Sequence, residues 1–410
     1  MADSSAVDHQ YDRIEMLKAF DETKAGAKGL NDSGLFKLPE IFESKANNSS
    51  EANHQNERSE MLKAFDETKS GVKGLVDSGL SKIPQIFVRS SGELAQELTH
   101  NKTAEAEVPL IDLTGIYNPE RRDRIVEEVR IASETWGFFQ VTNHGIPQII
   151  IDEMIDGVNK FNDMAAEEKR KYYTRDPKRR VRFSTNYDLF NSKTANWRDT
   201  LGISFVEEIP SDELPAPCRE SALNYSKHVV ILGGILLELV SEALGLKPDY
   251  LKSMKCANGH LMSCHYYPAC PEPELAVGTP KHSDIGFITI LAQNQIDGLQ
   301  VMYQDQWIDV HPLRGGLIVN VGDLLQVVSN GKFVSGKHRV VANSIGPRIS
   351  VACFFSGPLL NGEGMCYGPI EELLSEENPP KYREIVFGEY VLKFTKTGLD
   401  QYLGLDYYKL

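Results

Sequence analysis

The chain has 410 residues, enough for one large domain or two ordinary ones with a packed core. Its formal net charge is −14 at pH 7, which argues against a broad nucleic-acid or anionic-membrane surface. Six cysteines show no CxxC pair and no disulfide spacing, and the opening MADSSAVDHQYD has neither a basic start nor an apolar core. Reduced thiols, no signal peptide and a cytoplasmic location are therefore expected.

The first hundred residues contain a repeat. MLKAFDETKAGAKGLNDSGLFKLPEIF (16–42) recurs as MLKAFDETKSGVKGLVDSGLSKIPQIF (61–87). The polar stretch between the copies, ESKANNSSEANHQNERSE, reads as a flexible linker. Each copy predicts a short amphipathic helix, with Met61, Leu62 and Phe65 at helical spacing in the second. Two copies are too few for a solenoid, so the first is read as a tandem duplication or as a segment that binds a partner or swaps with its twin.

From Val108 the pattern becomes that of a compact domain. VPLIDL predicts a strand, 120–135 a helix, and WGFFQVTNHGI a strand ending in a turn at His144. Residues 147–161 and 165–174 read as helical. The basic run 169–182 reads as a solvated loop or helix face, and 182–201 as an aromatic, loop-rich segment. Residues 218–246 predict a long helix; its apolar run VVILGGILLELV is too short and too interrupted for a membrane span, so a buried spine is expected. From 259 to 355 short strands alternate with turn signals, the pattern of a jelly roll. Residues 359–410 alternate acidic loop and helix, with helices expected over 382–395 and 398–407.

The chemistry concentrates between Lys281 and Ser350. His282 and Asp284 stand two apart beside a predicted strand over 285–291, so they aim together. His338 follows 56 residues later. Two imidazoles and one carboxylate form a facial triad, which suits Fe(II) and leaves coordination positions open. Arg348 and Ser350 repeat the two-apart spacing on a predicted strand over 348–355. A guanidinium and a hydroxyl on one face form an anchor for a carboxylate.

Several phrases carry a resemblance. They are HYYPACPEPELAVGTPKHSD (265–284), DGLQV (297–301), LIVNVGDLLQVVSNGKF (317–333), HRVVAN (338–343) and RISVACFFSGP (348–358), with VPLIDL, WGFFQVTNHGIP and NWRDTLG upstream. From about Val108 to the C-terminus the chain resembles the plant 2-oxoglutarate- and Fe(II)-dependent dioxygenases. It is most similar to the subgroup called 1-aminocyclopropane-1-carboxylate oxidase homologues, which includes deacetoxyvindoline 4-hydroxylase. The resemblance implies an α+β fold, a double-stranded β-helix core with flanking helices and a helical N-terminal region. It implies this division: 1–60, extra repeat and linker; 61–107, second repeat; 108–255, mixed helix and strand; 256–360, catalytic jelly roll; 361–410, helical cap closing over the cavity. It makes His144 structural and gives Tyr267 a hydrogen bond to 2-oxoglutarate. The chain departs from the family at His265, where Asn is usual.

The implied activity is oxidation of a C–H bond, by default hydroxylation, of an alkaloid, terpenoid, steroid derivative or phenolic. Fe(II), 2-oxoglutarate and O2 would take part, ascorbate would act as activator, and succinate and CO2 would be released. Desaturation, ring closure and O-demethylation start from the same hydrogen abstraction. A 1-aminocyclopropane-1-carboxylate oxidase and a non-enzymatic small-ligand binder are the other readings. The expected partner is a small molecule, with no nucleic acid, no membrane and a monomeric chain. Phe183, Tyr187, Ile203, Phe205, Phe287, Leu291 and Phe355 are expected to form the apolar substrate wall.

Overall fold

The computed structural model describes residues 51–97, 106–257, 259–357, 365–399 and 404–410. The first copy of the repeat, Tyr402 and Leu403 lie outside the described residues.

Two sheets form the frame. In chain order the strands that build them are β1 Leu110–Asp112, β2 Phe138–Thr142, β3 Val181–Thr185, β4 Asp199–Ser204, β5 Leu261–Tyr267, β6 Val277–His282, β7 Ile288–Gln293, β8 Leu299–Tyr303, β9 Gln306–Asp309, β10 Leu317–Val321, β11 His338–Val341 and β12 Arg348–Phe355. The larger sheet has eight strands in the order β1-β2-β10-β7-β12-β5-β4-β3, and the smaller has four in the order β6-β11-β8-β9. An apolar layer joins them, with Phe138, Tyr267 and Ile318 from the large sheet meeting Leu299, Val301 and Val340 from the small one. This is the jelly-roll, mixed α+β architecture. His338 and Arg348 sit on opposite sheets, so the jelly-roll arrangement holds rather than a simple hairpin at Asn343.

Strand period two gives the large sheet two different faces. On β12, Ile349, Val351, Cys353 and Phe355 join the core beneath the helices, while Arg348, Ser350, Ala352 and Phe354 line the space between the sheets. The helical side is closed by α3 Pro119–Thr135, α4 Gln148–Asn162 and α5 Arg219–Ala243. Asn118 caps α3 by accepting the Arg121 N–H at 3.1 Å, and Pro119 opens the first turn. The spine α5 buries Val229, Leu232, Leu236, Leu237 and Val240. Each such side chain contributes about 1.5–3 kcal/mol of apolar transfer. Gly233 permits the closest approach: a Cβ there would lie 2.4 Å from the Phe355 ring. By length and composition α5 could cross a membrane; half of that stretch is buried against the fold.

The second repeat is part of this body. Its helices are α1 Glu51–Thr68 and α2 Gly71–Asp77. Leu62, Phe65, Val72, Leu75, Ile86 and Phe87 cluster with Leu189, Ala195 and Trp197. The start of α2 grips Asp199: the N–H groups of Val72 and Lys73 each donate to its carboxylate at 2.8 Å. Gly71 stands there at φ 73°, and a Cβ would lie 2.5 Å from the same carboxylate.

Four expectations need correction. Residues 51–60, read as linker, are the first turns of α1; they hold neither Gly nor Pro, and the apolar anchor at 61–65 holds the helix in place. The segment 182–201, read as loop, contributes most of the edge strand β3 and the start of its neighbour β4, hidden because the turn-rich link between them dominates its composition. The helix expected over 165–174 is shorter, Ala166–Arg170, and Lys169 of the basic run is buried, donating to the Asn162 carbonyl at 2.7 Å. The C-terminal helix is α6 Phe387–Thr397, and in the segment expected as a second helix the described residues form only a 3-10 turn, Gly404–Tyr408.

Candidate metal centre and co-substrate pocket

The antiparallel pairing of β6 with β11 sets His282 opposite His338, with ring centroids 4.1 Å apart. Asp284 follows in the turn before β7, not on a strand as the spacing suggested. Its Oδ1 lies 3.8 Å from His282 Nε2 and 3.7 Å from His338 Nε2. One ligand atom from each residue fits within 4.8 Å of the other two.

The surroundings fix how these groups point. His282 Nδ1 lies 2.8 Å from the Pro280 carbonyl and His338 Nδ1 lies 3.2 Å from the Gly336 carbonyl. Each Nδ1 therefore carries the proton, and each Nε2 lone pair faces inward. Asp284 Oδ2 accepts from Thr289 Oγ1 at 2.5 Å and Asn320 Nδ2 at 2.8 Å, leaving Oδ1 toward the histidines. Burial, then the facing His338, pushes the His282 pKa well down, so it stays neutral. Burial works to raise Asp284, but the neighbouring imidazoles and the Thr289 and Asn320 bonds outweigh it and keep it ionised. Three acceptors, those of Asp284 and His338 buried and that of His282 part-buried, thus face one another beyond hydrogen-bonding range with no donor between them. A divalent cation satisfies all three, and the donor set of two neutral imidazoles and a carboxylate suits iron.

The segment is braced from behind. Lys337 Nζ donates to Ser283 Oγ at 2.8 Å, and Ser283 and Tyr390 of α6 both donate to Asp323, at 3.2 and 2.7 Å. The Asp323 N–H returns to the Asp284 carbonyl at 2.7 Å.

Beside the triad the pocket is cationic. Arg348 is buried, and its Nη2 donates to Gln293 Oε1 at 2.6 Å and its Nη1 to Ser350 Oγ at 3.3 Å. Its Nε has no partner, and no carboxylate pairs with it among the described residues. The guanidinium lies 5.2 Å from the Tyr267 ring centroid, and Tyr267 Oη meets Thr279 Oγ1 at 3.0 Å. Arg198 adds a second buried guanidinium, donating to Thr279 Oγ1 at 2.7 Å while its Nε goes unmatched. Burying a cation without a counter-charge is costly. Two such cations lining one cavity fit a dianion such as 2-oxoglutarate. His265 lies here too, its Nδ1 3.0 Å from Thr200 Oγ1; burial and then Arg198 drive its pKa down, so it stands neutral.

The structure brings His282, Asp284, His338, Arg348, Ser350, Tyr267 and Leu291 into one cavity, joined by Phe138, Leu299, Ile318, Val340, Ala352 and Phe354. The rest of the expected wall is elsewhere. Phe183, Ile203, Phe287 and Phe355 are sealed on the helix-facing side of the sheet. Phe205 stacks on His260 at 5.1 Å, and Tyr187 is exposed against Phe394 of α6 at 5.9 Å. The physical reason is strand parity: Arg348 and Ser350 fix the even residues of β12 as inward, so Phe354 faces the cavity and Phe355 cannot. Arg198, Thr289 and Asn320 were missed. Only Arg198 left a trace, a cation between Trp197 and Asp199 in NWRDTLG. His144 is far from this chemistry, bonded through Nε2 to the Gly315 carbonyl at 3.1 Å.

Comparisons with known proteins agree with this geometry. The profile of the 2OG-Fe(II) oxygenase superfamily matches residues 258–357, and that of the non-haem dioxygenase in morphine synthesis N-terminal region matches 108–222. The chain is 49% identical over 404 residues to 1-aminocyclopropane-1-carboxylate oxidase homolog 1 of Arabidopsis thaliana, covering 97% of each chain. It is 48% identical over 390 residues to deacetoxyvindoline 4-hydroxylase of Catharanthus roseus, covering 93% of this chain and 86% of that one. Among solved structures it resembles JOX2 in complex with 2OG, Fe and JA, with a TM-score of 0.73 and 30% identity, covering 83% of this chain and 97% of the other.

Proposed function

The chain belongs to the 2OG-Fe(II) oxygenase superfamily, and we propose that His282, Asp284 and His338 hold its iron while Arg348 and Ser350 anchor 2-oxoglutarate. It is a hydroxylase-type dioxygenase using Fe(II), 2-oxoglutarate and O2. The observation that carries the residue assignment is the buried, carboxylate-free Arg348 guanidinium opening into the same cavity as the His-Asp-His cluster. When bound, the iron and 2-oxoglutarate supply the oxidising chemistry: O2 is consumed, succinate and CO2 leave, and a substrate C–H bond is oxidised.

The protein's own part is orientation and exclusion of water. The Pro280 and Gly336 carbonyls hold the imidazole tautomers, and Thr289 and Asn320 hold the carboxylate, so the ligand atoms converge before the metal arrives. Arg348 and Ser350 would hold a carboxylate of 2-oxoglutarate, and Tyr267 and Arg198 line the same cavity. Phe138, Leu291 and Ile318 keep the centre dry. We assign a small plant-type specialised metabolite as substrate, supported by the kinship with deacetoxyvindoline 4-hydroxylase. A monomer acting in the cytoplasm is also proposed, supported by the acidic charge and by six cysteines that are all free thiols.

The test is succinate release by the Fe(II)-loaded protein with 2-oxoglutarate and ascorbate, with and without a pooled plant extract, under air. Extract-stimulated succinate, absent from His282→Ala, is expected, together with one extract mass raised by about 16, the mass of one oxygen. No succinate above that variant across several extracts would favour the small-ligand binder.

A further inference from the structure

The cavity floor extends beyond the metal. Register places Ile318, Leu291, Ala352, Ser263, Gly202 and Arg182 in one row across β10, β7, β12, β5, β4 and β3. Directly paired residues share a face. The first three line the metal cavity, so Ser263, Gly202 and Arg182 continue its floor outward to the edge strand.

This floor is low, and Gly202 at its middle is buried between its neighbouring strands. A Cβ on Gly202 would meet nothing nearer than the Arg182 carbonyl at 3.8 Å. Along β3, β4 and β5 the residues of this face are mostly part-exposed, Ser184, Thr200 and Ser263 among them, while those of the opposite face are sealed. A trough along this row would run from the metal cavity to the part-exposed edge at β3.

Arg182 stands at the outer end of the row. Its side chain is half-buried and makes neither a hydrogen bond nor an ion pair among the described residues. The acidic group that acts on it through space is Asp176, in the turn before β3, and burial outweighs that attraction. An arginine held against a trough wall without a partner offers a two-pronged donor to a planar anion.

We propose that this trough receives the organic substrate and that Arg182 binds a carboxylate on it, so the substrate class is mid-sized organic acids. The proposal rests on the oxygenase reading above. Three strand spacings separate Ala352 from Arg182, about 14 Å. Allowing for the reach of the arginine, the carboxylate would lie about 8–10 Å from the oxidised carbon.

Biphenyl-4-acetate and its neutral twin biphenyl-4-acetamide match that length. Their binding would be measured by calorimetry on the full chain loaded anaerobically with Fe(II) and 2-oxoglutarate. Uptake of the metal and 2-oxoglutarate, recorded first in the same sample, tests the oxygenase reading by itself. Because 2-oxoglutarate fills the Arg348 anchor, acid captured there would appear as released 2-oxoglutarate. The acid is expected to bind at least tenfold tighter than the amide without that release. Arg182→Met should bring the acid to the amide's level and move the amide less than twofold. Arg182→Lys should keep part of the preference, and Gly202→Leu, which fills the floor, should weaken both probes. Equal affinity for acid and amide, no measurable binding of the acid, or a preference that survives Arg182→Met would overturn the proposal while leaving the oxygenase reading intact.

Discussion

The two faces of the eight-stranded sheet are built from the same strands and do opposite work. On β12 the odd residues, Ile349 to Phe355, pack under α4 and α5 and carry stability. The even residues, Arg348 to Phe354, face the small sheet and carry chemistry. The helical face is apolar and closed. The cavity face carries two buried guanidiniums and a neutral His265, and it looks across the cavity at His282 and His338 of the small sheet and at Asp284. Its polar groups are tolerable only with cations and anions arriving from outside to satisfy them. The comparison teaches that folding and function are separated here by single residues along one chain, not by domain.

That separation can be broken from either side. The largest effect is expected at the ligands: His282→Ala or Asp284→Ala should lower succinate formation by about a thousandfold or more, with the melting temperature nearly unchanged. A rate near wild type in either would contradict the metal assignment. Next, Phe355→Ala on the helical face should cost about 3–5 kcal/mol in denaturant unfolding, while the folded fraction keeps its 2-oxoglutarate affinity. If that affinity falls along with stability, the faces are coupled rather than separate. On the cavity side, Arg348→Ala should weaken 2-oxoglutarate binding by about 30- to 100-fold, as loss of a charge-assisted pair implies, with little change in unfolding.

The smallest effect sharpens the helical face. His260 lies buried there between Phe205 and Phe355, with ring centroids 5.1 and 5.6 Å away, and burial pushes its pKa down to about 4. The unfolded chain takes up a proton near pH 6.5 that the folded chain refuses until about pH 4, so stability falls as pH drops through that window. At pH 5 the loss is about 2 kcal/mol relative to pH 7. His260→Phe should flatten the unfolding curve by that amount; equal slopes in both proteins would show that His260 is not responsible.

The grouping of His282, Asp284, His338, Arg348 and Ser350 was legible because its signals are short-range in sequence: H-x-D and R-x-S each place two groups on one side, and His338 opens the strand-like HRVV. The long apolar helix was legible for the same reason. The substrate wall was not. Aromatic character pointed to Phe183, Phe287 and Phe355, but parity set by tertiary packing sent them to the helices. Arg348 and Ser350 already contained the correction, since stepping by two from them reaches Phe354. Thr289 and Asn320 could not be foreseen, because the register of β7 against β10 brings both to Asp284. β3 and β4 were hidden by the turn-rich link between them, and with them the outer trough and Arg182.

The most direct test of the central claim is an anaerobic titration of the full chain with Fe(II) and then 2-oxoglutarate, followed by the visible absorption of the resulting complex. One metal per chain is predicted, with an absorption band that grows on adding 2-oxoglutarate, is absent from His338→Ala, and needs far more 2-oxoglutarate in Arg348→Ala. Tight 2-oxoglutarate binding that ignores both the metal and Arg348 would contradict the site described here.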